Sequence, residues 1–224
     1  MSSIRQQSGS NVPQEKAMSL AKRLHAVVHP SRHTGFDRRR SVSYDRMSRW
    51  ALRGLYRRVA ADVAAVAPQS AMILDIGTGP GRLLHELADR RPDLTLTGVD
   101  PSPHMIQVAE QAATSRSLGH RVRFQIADVA DLPHPDGSVE VVVSTLSLHH
   151  WPDLAAAATE LARVLRPGGR LMIYDFRFAP LDQALTVLRS QNAFTPADIG
   201  RTPVRAGWYP VTPFARVNAS RMPR

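Results

Sequence analysis

The chain has 224 residues, a net charge of +10 and no cysteine, which excludes a disulfide framework, a thiolate metal site and a cysteine nucleophile. Its length suits one domain with appendages and is sufficient to bury a full core. No apolar run reaches the roughly 20 residues that cross a bilayer, and the polar N-terminus lacks the apolar stretch of a secretory signal, so a cytoplasmic protein is expected.

Residues 1–12 are rich in Ser, Gln and Gly and read as disordered. Residues 14–28 have a helical period, with Ala17, Leu20, Leu24 and Val28 on one stripe, and His29-Pro30 ends it. His29 and His33 are four apart, but Pro30 lies between them and no further ligand follows, so no metal is expected. Residues 31–43 are polar and Arg-rich and read as a mobile loop. A second helix is predicted from Tyr44 to about Ala67, with Met47, Trp50, Leu55, Val59, Val63 and Val66 on its apolar side. Residues 1–43 are therefore expected to form a flexible basic arm or lid, and residues 44–224 a single domain.

The run Ile73-Leu74-Asp75-Ile76-Gly77-Thr78-Gly79-Pro80-Gly81-Arg82-Leu83-Leu84 is a short apolar strand that ends beside an acid, three glycines at alternate positions, and the opening of a helix. Glycines so spaced let a strand turn sharply into a helix and let a ligand lie against the backbone. The pattern is not the Gly-x-Gly-x-x-Gly of dinucleotide binders, whose third small residue would fall at Arg82. A second strand over 94–100 ends in Asp100, where a carboxylate can accept hydrogen bonds from both hydroxyls of a ribose. Ser102 and Pro103 then suit the cap and first turn of a helix. A third strand over 122–128 ends in Asp128, followed by Val129 and Asp131-Leu132-Pro133. Residues 139–143 are apolar apart from Glu140, as a central parallel strand should be, and lead into Ser144-Thr145-Leu146-Ser147-Leu148-His149-His150-Trp151. Residues 161–175 read as the end of a helix, a Pro167-Gly168-Gly169 turn and a fifth strand. A helix over 181–189 follows, then a proline-rich stretch with short strands near 203–206 and 214–219.

Taken in order over residues 71–176, these segments resemble the class I S-adenosylmethionine (SAM) dependent methyltransferases. The Tyr44-Asp45-x-Met47 opening is similar to the N-terminal lid of the ubiquinone/menaquinone-type C-methyltransferases. The resemblance implies an α/β, Rossmann-like, seven-stranded and mostly parallel sheet of order 3-2-1-4-5-7-6, with helices on both faces and an N-terminal helical lid. Strand three would be a free edge, where Arg121 and Arg123 discourage edge-to-edge pairing. It further implies SAM as cofactor and S-adenosyl-L-homocysteine as product. Gly77, Thr78, Gly79, Gly81 and Thr145 would surround the methionine end, with Asp75 ordering the turn or facing the ammonium group through water. Asp100 and Pro101 would hold the ribose side, Met105 would approach the adenine, and Asp128 with Val129 would meet its amine and a ring nitrogen. Tyr44 would close the site from the lid.

Methyl transfer from a sulfonium is an in-line displacement, so the protein mainly aligns the reactants and excludes water. A base is needed only where the acceptor is a carbon acid, a phenol or an alcohol. His149 or His150, after the fourth strand, is the candidate; the alternative is a packing motif with one imidazole bonded to backbone. The absent cysteine excludes covalent methylation at pyrimidine C5, and Ser144-Thr145-Leu146-Ser147 cannot copy the Asn/Asp-Pro-Pro-Tyr/Phe motif of amino-methylating enzymes. Charge is uneven: residues 1–70 hold 13 Lys+Arg against 4 Asp+Glu, residues 71–176 hold 9 against 13, and residues 177–224 hold 7 against 2. The expected acceptor is a small molecule methylated on O or C, with basic flanks that suit an anionic or membrane-associated compound. The alternatives are an RNA methyltransferase gripping phosphates through those flanks, and a SAM-binding adaptor without turnover.

Overall fold

A computed structural model of the protein describes residues 38–205 and 212–223, with side chains from Leu52 onward. The helix expected over 14–28, the His29/His33 pair and the side chain of Tyr44 lie outside the described residues. Helix α1 spans Arg38–Val66, so residues 38–43 are helical and not loop, and the boundary expected between residues 43 and 44 falls inside α1. The segment Arg-Arg-Arg-Ser-Val-Ser contains neither Gly nor Pro. Extending a helix by one residue is far easier than nucleating one, so the apolar-striped part propagates back through it.

The remaining elements are β1 (Met72–Ile76), α2 (Arg82–Arg90), β2 (Thr95–Asp100), α3 (Pro103–Ser115), β3 (Val122–Ile126), β4 (Val139–Thr145), α4 (Leu154–Val164), β5 (Leu165–Phe176), α5 (Leu181–Ser190), β6 (Gly200–Val204) and β7 (Phe214–Ser220). They form one seven-stranded sheet of order β3-β2-β1-β4-β5-β7-β6. Strands β1 to β5 pair in parallel, and β7 runs antiparallel to both β5 and β6. This is the order expected from the sequence, with β3 at one edge.

Two local expectations are corrected. Strand β6 begins at Gly200, earlier than expected, because it pairs with β7 from Gly200↔Asn218 to Val204↔Phe214; as an edge strand it tolerates the missing N–H of Pro203. Pro167-Gly168-Gly169 does not separate helix from strand but bulges within β5. The register passes from Val139↔Leu165 to Val141↔Arg170, with Gly168 at φ 76°. Arg166 in this bulge pairs with Glu140 at 3.1 Å, and Glu140 also accepts from the Met72 N–H at 2.7 Å, so the base of β1 is tied to β4.

The sheet is buried on both faces. Val141, Val143, Met172 and Tyr174 pack with α1 to α3, whereas Val142, Leu171 and Ile173 pack with α4 and α5, which is the alternation a central strand imposes. Helix α1 is fastened at two points. Asp62 receives hydrogen bonds from Arg58 (2.9 Å), Tyr174 (3.0 Å) and Arg216 (3.2 Å). At its C-terminus, where helix carbonyls lack partners and no basic residue lies in the last turn, Arg91 donates to the carbonyls of Ala64, Ala67 and Pro68 at 2.8, 3.2 and 3.1 Å. Asp93 grips the same guanidinium in a two-point pair, which together with the Ser70 N–H holds its carboxyl well below the usual range. Arg91→Ala is expected to lower the thermal midpoint clearly more than Arg90→Ala, which loses a single helix-surface pair with Glu86; equal midpoints in calorimetry would contradict this capping role.

Candidate active site

The tips of β1, β2, β3 and β4 meet at the carboxyl edge of the sheet, where open α/β folds bind ligands. Between them lies a cavity of about 330 Å³. Of the residues expected to bind, Gly77, Thr78, Gly79, Asp100, Pro101, Met105, Asp128, Val129, Thr145 and His150 line it. Asp75 and Gly81 stand behind the turn and are buried. A second cavity of about 280 Å³, between Val66, Arg170, Asp198, Arg216 and Asn218, lies at the opposite edge and shares none of these features.

The turn between β1 and α2 follows from steric limits. A Cβ on Gly77 (φ 66°) would overlap the side chain of Ser147, and one on Gly81 (φ 73°) would press into the Phe124 ring. A side chain at Gly98 of β2 would likewise collide with Thr78. Among the glycines of this turn, Gly79 (φ 51°) alone would place a Cβ with nothing within 4 Å, because it faces the cavity. Thr78 locks the turn by donating from its N–H to the Val99 carbonyl at 2.9 Å and from its hydroxyl to Asp75 at 2.8 Å.

The carboxylate of Asp100 accepts from the Gly79 N–H at 3.0 Å and from the Ser102 N–H at 2.9 Å. Each oxygen thus holds one backbone donor and keeps a second lone pair. Asp128 accepts from the Ala130 N–H at 2.9 Å in a tight turn after β3. At the end of β4, Leu146 sits at φ 59°, a left-handed conformation that costs a non-glycine residue roughly 1–2 kcal/mol. Ser147 and the Leu146 N–H···O=C bond to Tyr174 (2.8 Å) hold it there. The Ser147 hydroxyl donates to the Ile76 carbonyl (3.2 Å), meets Ser144 (3.0 Å), and accepts from the Trp151 indole N–H (2.9 Å).

His149 meets a carboxylate through Nδ1. Its Nδ1 lies 3.0 and 2.9 Å from the two oxygens of Asp175, which is fully buried at the end of β5. The Phe176 and His149 N–H groups donate to the same carboxylate. The His150 ring lies 4.1 Å from that of His149 and reaches the cavity. Tyr56 of α1 also lines the cavity; burial, offset in part by Arg82 and reinforced by Asp75, pushes its hydroxyl up to about 12.

Tyr56, Ser147 and Asp175 were not among the residues expected from the sequence. Asp175 ends a strand at the carboxyl edge as Asp100 and Asp128 do, so the same rule finds it. Tyr56 falls on the stripe of Leu52, Val59 and Val63 and carries its only hydroxyl. Nothing in the sequence singles out Ser147 over Ser144.

Two buried polar atoms at this edge have no partner among the described residues, Asp75 Oδ1 and Thr145 Oγ1. Burial, with Asp100 nearby, pushes the Asp75 carboxyl up to about 7 against the Thr78 hydrogen bond that lowers it. Its folded value exceeds the unfolded 3.8, so the associated stability is present below that value and is lost as pH rises to about 7. The ligand-free protein should therefore melt lower at pH 8 than at pH 5.5. Asp75→Asn should shrink that difference in calorimetry, and an unchanged difference would show that Asp75 is ionised across the range.

Residues 74–173 match the Methyltransferase domain family. The chain is 36% identical over 124 residues to a demethylmenaquinone methyltransferase of Deinococcus radiodurans, an alignment covering 55% of this chain and 50% of that one. It is 41% identical over 108 residues to the 27-O-demethylrifamycin SV methyltransferase of Amycolatopsis mediterranei, covering 48% and 39%. The chain thus spans about half the length, or less, of these curated relatives. Among solved structures it resembles the [4+2]-cyclase SpnF, with TM-score 0.65 and 22% identity over 95% of this chain and 96% of that one. That likeness is one of fold. Over residues 74–173 the chain is thus similar to the Methyltransferase domain family, and its sheet order and glycine turn are those expected of the class I SAM-dependent methyltransferase fold.

Proposed function

We propose that the protein binds SAM at the carboxyl edge and transfers its methyl group to an oxygen or carbon of a small-molecule acceptor. The observation that carries this reading is the join between two features. A cavity of about 330 Å³ has open space above Gly79, the partnerless Thr145 hydroxyl in its wall and the orphaned Asp75 oxygen behind the turn, and His150 in its lining packs at 4.1 Å on the His149 ring that Asp175 holds.

The residues fit the cofactor piece by piece. The orphaned Asp75 oxygen suits an ammonium group, and its partial protonation near neutrality makes binding of that cation stronger as pH rises through about 7. The remaining lone pairs of Asp100 suit two ribose hydroxyls. Asp128 and the Val129 amide suit the adenine amine and a ring nitrogen, while Met105 offers an apolar edge, 39% exposed, for the ring. When bound, the cofactor supplies an activated methyl group.

What the chain adds is alignment and, for an acceptor hydroxyl or acidic C–H, a proton acceptor. The carboxylate beside Nδ1 fixes the orientation of the His149 ring, which packs at 4.1 Å on the His150 ring at the cavity wall. For an acceptor that must lose a proton, the His149 imidazole would take it, with the buried Asp175 carboxylate beside the ring to offset the positive charge. Met105, Leu146 and Trp151 in the lining suit an apolar acceptor. The named relatives support an acceptor of the demethylmenaquinone or demethylrifamycin kind.

Two variants test cofactor and chemistry separately. Asp100→Ala should weaken SAM binding about tenfold or more in calorimetry, since charge-assisted hydrogen bonds are worth roughly 1.5–3 kcal/mol each; unchanged affinity in a folded protein would refute the ribose assignment. Asp175→Asn should keep SAM affinity yet lose about tenfold or more of label transfer from SAM to an organic extract of cells. Full transfer by this variant would remove His149 as the base.

A further inference from the structure

The connection between β3 and β4, residues 127–138, carries Asp128 and Val129 but has no helix or strand, only a single bridge between Asp128 and Asp131. Peptide groups there cannot be satisfied by a ladder, and need other partners. They find them on α4. Arg163 donates from Nη2 to the Leu132 carbonyl (3.0 Å), and from Nη1 to the His134 carbonyl and to Asp136 (2.7 Å each). Glu160 accepts from the Leu132 N–H at 2.7 Å, and the two α4 side chains grip each other at 2.6 and 2.8 Å. The Gly137 N–H returns to the Arg163 carbonyl at 2.8 Å. Both peptide groups of Leu132 are thus held by one ion pair.

That grip is relayed to the cavity through a short path. The Asp131 N–H donates to the Asp128 carbonyl at 3.1 Å, and the Ala130 N–H to the Asp128 carboxylate at 2.9 Å. Val129 and Leu132 are buried in one cluster with Leu74, Val99 and Leu161, so the turn is pinned on the C-terminal side of Asp128. The placement of the Asp128 carboxylate at the cavity wall therefore depends on where Leu132 is held.

We propose that Arg163, paired with Glu160, is a positioning residue for recognition of the adenine ring: it fixes the 128–132 turn so that Asp128 reads the exocyclic amine and the Val129 amide a ring nitrogen. This rests on the reading of Asp128 and Val129 given under Proposed function. Arg163 touches no ligand itself. Its planar fork is what lets one side chain hold Glu160, Asp136 and two carbonyls at once. A lysine would keep the charge and lose most of those bonds.

The test compares calorimetric affinities for S-adenosylhomocysteine and S-inosylhomocysteine, in which a carbonyl oxygen replaces the exocyclic amine. The exchange also puts a proton on the adjoining ring nitrogen, so a site that accepts from the amine and donates to that nitrogen rejects the inosyl edge at both points, and the ratio of the two affinities reports recognition of that edge and is insensitive to general loosening of the protein. Asp128→Ala should collapse the ratio, and Arg163→Met should lower it about fivefold or more, with Arg163→Lys between Met and the natural residue. If Arg163→Met fails to fold, Arg163→Lys decides by the same ratio. A collapsed ratio in Asp128→Ala with an undiminished one in both Arg163 variants would overturn the proposal and leave Arg163 a stabilising clamp only. An undiminished ratio in Asp128→Ala would overturn the adenine reading itself, and the proposal with it.

Discussion

The turn after β1 has to pass between the tips of β2 and β4, and there is no room for a side chain on either flank. Ser147 closes one flank against Gly77, and Thr78 uses the space left by Gly98 on the other. This fit sets the rest of the site. It aims the Gly79 N–H at Asp100, orders α2 from Gly81 onward, and leaves Gly79 facing open space. The same contact fixes Ser147, whose hydroxyl then orients Trp151 and braces the left-handed Leu146. Cofactor side and acceptor side are therefore built on one steric constraint.

Stability and site chemistry pull against each other here. Asp75 is a buried carboxyl with an unpartnered oxygen, and Thr145 leaves a hydroxyl unsatisfied beside it. Unsatisfied buried groups cost about 1–3 kcal/mol each. The fold offsets such costs away from the cavity, through the two-faced core, the Asp62 hub under α1 and the Arg91 cap at its end. A ligand that supplies a cation and a donor at these atoms gains what the empty fold forgoes.

Much of this was legible in the sequence because backbone constraints leave local marks. Alternate glycines, strands that end in acids and a run of valines between them carried the family resemblance, and that resemblance implied the order of the seven strands. What was hidden depended on contacts distant in sequence. Tyr56 reaches the site only because α1 lies across the sheet, and Asp175 meets His149 across 26 residues. Ser147 matters through Ile76, 71 residues away. The boundary errors have a common source. Arg38 to Ser43 lacks an apolar period yet continues a helix, and Pro167-Gly168-Gly169 looks like a terminator yet bulges inside a pairing strand. Local composition shows what a segment prefers, and its neighbours decide what it does.

The most direct test of the account is a crystal structure of the protein grown with S-adenosylhomocysteine. The account predicts density against Gly77 and Gly79, with the amino group at Asp75, the ribose at Asp100 and the adenine between Met105 and Asp128. Ligand bound in another cavity, or in this one with its adenine turned toward His149, would contradict it.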